Sequence, residues 1–431
     1  MASDPLSAPL STEPYKGVRD FYPADWAKMQ YVFDTVRTLL RRNGYEEYQA
    51  SPLERAELYE SKTSEEIVNG QTYTFTDRGD RRVTLRPEMT PSLARMVANK
   101  RHELVFPVRW FSIGNRFRYE RPQRGRLREF YQVDVDIVGI AEGTAEGEAI
   151  IRAHQILSAF GAKNEDFEIR VNSRALMNAA CSALGLSEDE QDAYIALVDH
   201  KEKMDADAFE AEREAFRRNG ADPLELVEAN ELPAIAEERA KLDALIAALA
   251  ERGMGNAVFS PTLMRGFLYY TGTVFEVFDT NPENSRALFG GGRYDGLVSL
   301  FGGDPIPAVG FAFGDVTLLD FLETHGLLPA HLTGAPDLFI GIPDVSDAEG
   351  VHAAYAYADA LRAEGVNVLM NLSRKHLGDQ VKEAVRRTIA YFLAYGTQEA
   401  QSGSITLKIL NESREETLST DAVAAFITGA K

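Results

Sequence analysis

The 431-residue sequence contains only one cysteine, Cys181, and seven histidines. A single cysteine cannot form an intramolecular disulfide or supply a cysteine-rich metal site. The histidines, among them His102, His154 and His200, do not follow the spacing of zinc ligands. We therefore expect no disulfide framework and no metal centre built from protein ligands.

Apolar runs long enough to cross a bilayer are also missing, because none reaches the required length of about 18–20 residues. The first residues, Met-Ala-Ser-Asp-Pro, lack the basic region and the apolar core of a secretory signal. With 45% hydrophobic and 10% aromatic residues, the chain can nevertheless bury substantial cores. These features predict a folded cytoplasmic protein without a membrane partner.

Positive charge is scarce, since 46 Lys and Arg residues face 66 Asp and Glu residues and the net charge is −20. Binding of nucleic acid phosphates needs local positive charge, so this excess argues against non-specific nucleic-acid binding. Net charge does not constrain any single face of a protein, however. Six arginines lie within residues 116–128, and this local concentration is the feature to explain.

The length is typical of about two to four domains of roughly 100–200 residues each. A polar segment at 1–16 is expected to be a flexible leader, and mixed strand and helix patterns fill residues 17–335. Residues from about 173 to 253 are charged and rich in Ala, Glu and Leu, which predicts an inserted helical subdomain. Residues 336–431 alternate between strand and helix patterns, which indicates a separate α/β domain.

Individual elements follow from the spacing of apolar residues. Three- and four-residue spacing predicts a first helix at 24–42, and Thr90-Pro91 begins another. Alternation predicts strands at 73–77, 83–86, 109–119, 129–139, 274–278, around 290–292 and at 308–313. In the last domain we predict strands at 338–342, 366–370, 390–394 and 405–409, and helices at 348–363, 377–387 and from about 420.

The arginine-rich segment joins two of these predicted strands. Alternate residues of a strand share a face, so Arg116, Arg118 and Glu120 should point one way. Gln132, Asp134 and Asp136 should share a face of the returning strand. The connecting loop adds Arg121, Arg124, Arg126 and Arg128. Arginine binds phosphate and carboxylate with paired donors, so the hairpin predicts an anion site next to a polar or cationic second substrate. The alternative is a solvated face of an amphipathic hairpin.

Several segments in this order resemble the histidyl-tRNA synthetases, a family of class II aminoacyl-tRNA synthetases. Residues 116–126 and 129–132 resemble motif 2 in its histidine-specific form. Residues 17–20 and 51–54 resemble the amino-terminal region and motif 1, and residues 85–90 resemble the amino-acid-binding loop. Residues 265–276 and 291–296 resemble the two histidine-specific motifs, and the last domain is similar to an anticodon-binding domain. The resemblance covers nearly the whole chain.

The resemblance implies an α+β fold, in which a class II catalytic domain built on an antiparallel sheet carries a helical insertion and precedes an anticodon-binding-like α/β domain. It implies ATP with Mg²⁺, L-histidine and tRNA(His) as substrates and partners, and a homodimer with motif 1 at the interface. The residues expected to bind histidine are Glu88, Thr90, Arg118, Gln132, Asp136, Arg265, Tyr269 and Tyr270. The residues expected to bind ATP are Arg118, Glu120, Arg126 and Arg293. Arg118 and Arg265, at the α-phosphate and the substrate carboxylate, are the expected catalytic residues.

The sequence departs from the family pattern at four positions. Leu268 stands where an aspartate is common, Asp136 where a glutamate is more usual, and Met89 where a small residue is usual. The most serious departure is Thr317, which occupies the place of the motif 3 arginine that contacts ATP. A threonine cannot supply this charge, so we expect another arginine to compensate, either Arg293 or one from the motif 2 loop.

Two other functions remain open. A non-catalytic paralogue, such as the regulatory subunit of ATP phosphoribosyltransferase, would suit the altered motif 3 but not the additional carboxy-terminal domain. A sensor of uncharged tRNA would keep the tRNA surface. It would need neither the arginine hairpin nor the complete set of Glu88, Thr90 and Gln132.

Overall fold

The computed structural model describes residues 10–60, 70–141, 143–201, 204–265, 269–329, 332, 334–371 and 373–429. These residues belong to two compact units. One unit lies within residues 1–20 and 31–329, and the other lies within residues 21–30 and 330–431. The division therefore falls slightly before the domain boundary expected at 335–336. In addition, the first part of the long amino-terminal helix groups with the second unit.

The first unit is built on a large, mostly antiparallel sheet. In the part of the chain described, eight strands follow the order β1-β5-β6-β11-β10-β9-β7-β8. Only the β1–β5 and β7–β8 pairs of this sheet are parallel. The strands are β1 (Glu46–Glu47), β5 (Val108–Phe117), β6 (Glu129–Val138), β7 (Phe167–Ser173), β8 (Ala257–Phe259), β9 (Thr273–Asp279), β10 (Ala287–Arg293) and β11 (Ala308–Gly314).

The strands of a smaller sheet come between β1 and β5 along the chain. Its three described strands, in the order β2-β4-β3, are β2 (Leu53–Arg55), β3 (Tyr73–Thr76) and β4 (Arg82–Leu85). Asp77 turns this hairpin, because its carboxylate accepts hydrogen bonds from the backbone N–H groups of Gly79 and Arg81. After β4 the chain crosses towards β5, and the backbone N–H of Phe117 donates to the carbonyl of Arg86. The Arg86 side chain lies against β5, since a Cβ atom on Gly114 would be 2.5 Å from its Nη2.

Helices surround the large sheet and form the inserted segment. Those outside the insertion are α1 (Pro23–Arg42), α2 (Glu57–Glu60), α3 (Thr90–Lys100), α4 (Thr144–Ala159) and α10 (Asp315–Thr324). Those between β7 and β8 are α5 (Arg174–Ala183), α6 (Glu188–His200), α7 (Ala206–Glu214), α8 (Pro223–Ala229) and α9 (Pro233–Glu251). Ser187 and Asp222 cap α6 and α8 with their side chains, which explains where these two helices begin.

The second unit is an α/β layer structure. The five strands described here follow the order β13-β12-β14-β15-β16, in which β12 is parallel to β13 and β14. The strands are β12 (Leu338–Gly341), β13 (Val368–Met370), β14 (Tyr391–Ala394), β15 (Ser404–Ile409) and β16 (Arg414–Ser419), and the helices are α11 (Ala348–Ala363), α12 (Leu377–Arg386), α13 (Thr397–Ser402) and α14 (Val423–Gly429).

The sheet of the second unit is buried on both faces. Leu338 and Ile340 of β12 pack on one face with residues of α11 and α14. Phe339, between them, packs on the other face with Ala384 of α12 and Phe392 of β14. Helices on both faces are what a parallel strand pair requires, since its strands must be covered on each side.

The predicted elements agree well with the structure where apolar residues recur at a regular spacing. The first helix, the hairpin strands, the two arginine-flanking strands and the helix at 348–363 are confirmed within a few residues. The sequence analysis did not identify α4, β7, α10 or β16. No helix among the described residues is both long enough and apolar enough to cross a membrane.

Candidate active site

A cavity of about 810 Å³ opens in the first unit, over one face of the large sheet. Its floor is formed by side chains of β6, β9, β10 and β11, and its walls by the segment 118–127, by Glu88 and Thr90 and by residues before β9. Polar and charged groups converge on it from several elements that are far apart in sequence. We refer to this space as the cavity.

Strand β6 supplies one row of polar groups to the cavity. Phe130, Gln132, Asp134 and Asp136 are alternate residues of one strand, and all four line the cavity. The side-chain amide of Gln132 donates through Nε2 to Oδ1 of Asp134 at 2.8 Å. This hydrogen bond fixes the orientation of the amide and leaves Oε1 of Gln132 as an acceptor. The predicted common face of Gln132, Asp134 and Asp136 is therefore confirmed.

Asp136 lies at the buried end of the cavity. The Tyr294 hydroxyl donates a hydrogen bond to its Oδ1 at 2.5 Å, whereas Oδ2 is buried and has no hydrogen-bond partner among the described residues. Burial raises the pKa of Asp136 to about 8, although the hydrogen bond from Tyr294 acts in the opposite direction. Gly310 pairs with Asp136 in the sheet, and a Cβ atom at position 310 would overlap the carboxylate. The glycine thus makes room for this buried acid.

Glu88 and Thr90 form the opposite wall. Glu88 is buried at the turn before α3, and Thr90 is the first residue of that helix. The Tyr269 hydroxyl donates to Oε2 of Glu88 at 3.1 Å. The rings of Tyr269 and Tyr270 lie 4.9 Å apart between centroids, and both line the cavity. The structure therefore brings together the acid, the hydroxyl and the two tyrosines that the sequence analysis selected.

Arg265 crosses the floor of the cavity at Gly290. Its Nη1 donates to Oε1 of Glu276 at 2.7 Å, and its guanidinium carbon lies 5.5 Å from the centroid of the Tyr270 ring. A Cβ atom at position 290 would overlap the guanidinium group. The glycine cluster of β10 is thus explained in part by the path of this arginine, which lies over strand backbone where no side chain fits.

The segment after β5 contributes Arg118, Glu120 and Arg126, and all three line the cavity. Nε of Arg118 donates to the carbonyl of Pro87 at 3.0 Å, and its guanidinium carbon lies 5.4 Å from the centroid of the Phe130 ring. Nε of Arg126 lies 3.1 Å from Oε2 of Glu120. These contacts hold two cations and a carboxylate at one side of the cavity.

The remaining arginines of the predicted anion site do not line the cavity. Arg116 is completely buried and pairs with Asp134 beneath the crossing segment that contains Arg86. Arg124 donates to Oδ1 of Asn284 at 3.0 Å, and the guanidinium of Arg128 lies 3.9 Å from the Tyr119 ring centroid. The prediction of one cluster of six cations is therefore wrong, since only Arg118 and Arg126 of the six line the cavity.

Arg293 is also separate from the cavity, so the structure does not support it as a ligand of ATP. Its side chain is 2% exposed and pairs with Glu146 of α4. Nη1 donates to Asp295 at 2.9 Å and to the carbonyl of Ile140 at 3.2 Å. Arg293 does not line the cavity, so it cannot compensate for Thr317. Adjacent residues of a strand point to opposite faces of the sheet, and the face that carries Arg293 is turned away from the cavity. Arg293 therefore lies against α4.

Three other positions depart from the family pattern, namely Thr317, Met89 and Leu268. Thr317 lines the cavity from the first turn of α10, where its hydroxyl donates to the carbonyl of Gly314 at 3.4 Å. Met89 is fully buried in the segment between β4 and α3, with its sulfur 3.8 Å from Nη1 of Arg86, and it does not line the cavity. Leu268 lies outside the described residues.

Sequence reasoning missed several residues that line the cavity. Tyr294 belongs to a segment noted for its family resemblance, but only the register of three strands brings it to Asp136. Arg286, just before β10, and Lys201, just after α6, carried no motif that could single them out. The additional lining residues are Phe130, Asp199, Arg170, Lys201, Glu276, Arg286 and Tyr294.

The chain was compared with known proteins. Residues 17–317 match the family model described as histidyl-tRNA synthetase, and residues 340–429 match the anticodon binding domain. The histidine–tRNA ligase of Leptospira biflexa is 38% identical over 422 residues, an alignment that covers 95% of this chain and 96% of that protein.

Two solved structures have the same fold. The apo histidyl-tRNA synthetase of S. aureus is 26% identical, with a TM-score of 0.71 over 97% of this chain and 100% of that chain. The histidyl-tRNA synthetase of Nostoc sp. PCC 7120 is 22% identical, with a TM-score of 0.78 over 98% of this chain and 100% of that chain. With a matching family model over residues 17–317 and similarity along nearly its full length, the chain belongs to the histidyl-tRNA synthetase family.

Proposed function

We propose that this chain is a histidine–tRNA ligase, which activates L-histidine with ATP and transfers it to the 3′ end of tRNA(His). The observation that supports this best is the composition of the cavity in a member of this family. Acceptors for an amino group and for a ring N–H lie beside arginines suited to a carboxylate and a phosphate.

The α-amino group of histidine binds between Glu88, Thr90 and Gln132 in this proposal. An ammonium group has three donors and no acceptor, so it needs carboxylate, hydroxyl and amide oxygens. The hydrogen bond from Gln132 to Asp134 supports the assignment, because it turns Oε1 of Gln132 away from Asp134. The hydrogen bond from Tyr269 holds the Glu88 carboxylate in place.

The imidazole ring binds at Asp136, between Tyr269 and Tyr270. Neutral imidazole has one N–H donor and one acceptor nitrogen. The unpartnered Oδ2 of Asp136 would accept from the N–H, and a tyrosine hydroxyl would serve the second nitrogen. A substrate without ring nitrogens would leave these buried groups unpaired, which corresponds to rejection by about 10⁴-fold where polar recognition works in this way.

Adenylation requires the histidine carboxylate to attack the α-phosphorus of ATP. A bond forms between a carboxylate oxygen and phosphorus, and the bond from phosphorus to the pyrophosphate oxygen breaks. Arg118 and Arg265 would neutralise charge on the carboxylate and the α-phosphate, and Arg126 would orient the rest of ATP. No general base is needed for this step, because the nucleophile is already an anion. Positioning and charge stabilisation supply most of the acceleration in such reactions.

Mg²⁺ would enter with ATP as part of the substrate. Mg²⁺ usually keeps several waters and binds through phosphates and one or two carboxylates. Glu120 fits this requirement, since its carboxylate lines the cavity beside Arg126, whose Nε lies 3.1 Å from Oε2. The bound ion would supply further neutralisation of the phosphates.

The second step would transfer the histidyl group to tRNA(His). A terminal ribose hydroxyl attacks the carbonyl carbon of the adenylate, an ester bond forms, and AMP leaves. The match of residues 340–429 to the anticodon binding domain supports tRNA as the partner. We place this reaction in the cytoplasm, in keeping with a chain that has a single cysteine.

We also propose a homodimer, on the resemblance of residues 51–54 to motif 1. The sheet β2-β4-β3 supports this assignment, because Leu53 and Phe75 are 43% and 49% exposed on it. Large apolar side chains exposed on a sheet often mark a contact surface. Sedimentation of the purified chain should give twice the mass of one chain, and a monomer would contradict the assignment.

Thr317 is the one observation that favours a non-catalytic paralogue. It is opposed by the second unit, which matches the anticodon binding domain, and by the cavity, which keeps every candidate histidine residue together. Histidine-dependent exchange of labelled pyrophosphate into ATP, measured without tRNA, separates the two functions. Exchange with histidine and not with other amino acids is the expected result. Histidine binding without any exchange would favour the paralogue instead.

A further inference from the structure

The cavity has a cation next to Thr317 that the family resemblance did not identify. Arg286 precedes β10 and Thr317 lies in the first turn of α10, which follows β11. Strands β10 and β11 are antiparallel neighbours with Phe289 opposite Phe313, so residue 286 approaches the start of α10. Both Arg286 and Thr317 line the cavity. The charge that is absent at position 317 therefore has a candidate replacement in Arg286, immediately before β10.

The tip of the 118–127 segment shows how close these two side chains are. A Cβ atom placed on Gly125 would lie 2.6 Å from Cδ of Arg286 and 3.7 Å from Cγ2 of Thr317. Gly125 has a φ of +75°, so a glycine suits this position for conformational reasons as well. The arginine stem and the threonine methyl group thus lie around one point of the loop, and a larger residue at 317 would compete with Arg286 for this space.

The hydrogen bonds of Arg286 leave most of its guanidinium available. Nε donates to the carbonyl of Arg124 at 3.2 Å, which orients the group. Among the described residues, no carboxylate forms an ion pair with Arg286, whereas Arg126 has Glu120 and Arg265 has Glu276 as partners. Partial burial and the nearby Arg126 lower the pKa of Arg286, and Glu120 offsets this in part. Arg286 and Arg126 thus share Glu120 as a nearby carboxylate, and an anion would stabilise the remaining positive charge.

The distance between Arg286 and the point where Arg265 crosses β10 indicates which part of the nucleotide Arg286 would contact. Arg265 crosses β10 at Gly290, four residues from position 286, which corresponds to roughly 13 Å along a strand. An α-phosphate held near Arg118 and Arg265 therefore leaves the β- and γ-phosphates to extend towards Arg286.

We infer that Arg286 binds the terminal phosphates of ATP and takes the role of the arginine that is absent at position 317. This inference rests on the proposed function, because it assigns a residue to the ATP half of that reaction. Arg286 would act on binding and orientation of the pyrophosphate leaving group, without taking part in a covalent step.

The test compares Arg286→Ala with Arg286→Lys and with Arg78→Ala, which removes an exposed arginine that does not line the cavity. Loss of a hydrogen-bonded charge contact should weaken ATP binding in Arg286→Ala by roughly 10- to 100-fold. Affinity for AMP and for histidine should not change, and Arg78→Ala should match the unmodified protein. Arg286→Lys should lie between the two, since a lysine keeps the charge but not the paired donors.

A second experiment restores the positive charge with an arginine on α10. In Arg286→Ala/Thr317→Arg, an arginine on α10 should recover much of the lost affinity for ATP, a result that a purely structural role for Arg286 does not explain. Equilibrium binding keeps this inference distinct from the proposed function, because it needs no turnover. An unmodified protein that binds ATP but does not exchange pyrophosphate would reject the proposed function alone. ATP affinity unchanged in Arg286→Ala, or lost equally for AMP, would overturn the role of Arg286.

Discussion

The hydroxyl of Tyr294 donates to Oδ1 of Asp136, whereas Oδ2 of this buried carboxylate has no hydrogen-bond partner among the described residues. Tyr294 follows β10 and Asp136 lies on β6, and strand β11 separates them in the sheet. The pair links a segment with a histidine-specific resemblance to the strand that carries Gln132. In the proposed function, the protonation state of Asp136 determines whether the carboxylate can accept the imidazole N–H.

Histidine affinity should depend on the protonation of Asp136. Burial raises its pKa to about 8, and the carboxylate must be ionised to accept the imidazole N–H. Between about pH 7 and 8, affinity for histidine should therefore increase by up to about tenfold per pH unit. Calorimetric titrations across this range would measure it. Asp136→Asn should bind more weakly and without this rise, and an equally steep rise in the variant would contradict the assignment.

The same shift in pKa predicts a pH dependence of stability without any ligand. Asp136 is protonated in the folded protein up to about pH 8, whereas in the unfolded chain it ionises near its ordinary pKa of 3.8. The unfolded state thus binds fewer protons in this window, and the contribution of Asp136 to the free energy of unfolding falls as the pH rises. Denaturant unfolding of the protein and of Asp136→Asn should show a difference that decreases from acid to neutral pH. A constant difference would show that the carboxyl titrates normally.

Gly310→Ala should impair histidine binding. The added methyl group would overlap the Asp136 carboxylate and displace it, and a misplacement of about 1 Å can cost on the order of 100-fold in activity. We expect a large rise in KM for histidine in the exchange reaction and a smaller effect on KM for ATP. Gly296→Ala is the matched control, because a Cβ atom there meets nothing within 4 Å. Equal behaviour of the two variants would refute the steric argument.

Arg293→Ala should destabilise the protein rather than weaken ATP binding. Its buried pair with Glu146 would lose one partner, and uncompensated buried charges cost about 3–5 kcal/mol. Arg109→Ala is the control, because Arg109 is a partly exposed partner of Glu148, which lies on α4 like Glu146. Its loss should lower the free energy of unfolding by at most about 1 kcal/mol. Denaturant unfolding measures both. A normal stability combined with weak ATP binding in Arg293→Ala would restore the role that the family resemblance suggested.

The sequence predicted the strands of the arginine hairpin but not which arginines reach the cavity. Arg116 was expected to share a face with Arg118 and Glu120, but β5 ends at Phe117, and Arg116 pairs with the buried Asp134. The Arg86 side chain donates through Nε to the carbonyl of Asn115 in β5, and a long-range contact of that kind leaves no local pattern in the sequence. Arginine density therefore could not distinguish the buried Arg116 from Arg118, which lines the cavity.

Residues brought together by strand register were equally hard to predict. Gly310 lies opposite Asp136, and Gly292 lies opposite Gly310, so the neighbours of Asp136 depend on the pairing of three strands. A shift of one residue in any pair would turn each side chain to the other face. Glu88, Thr90 and Gln132 could be predicted as cavity residues because each lies within a motif. Arg286 lies in no motif, and its position near α10 follows only from the pairing of β10 with β11.

The most direct test of the account is attachment of labelled histidine to purified tRNA(His) by this chain, in the presence of ATP and Mg²⁺. We predict that histidine is esterified to tRNA(His) and that other amino acids are not. Charging should be slower in Glu88→Gln and in Asp136→Asn, because we propose that Glu88 binds the amino group of histidine and Asp136 binds its ring. Absence of charging under conditions in which histidine and ATP both bind would contradict the central claim.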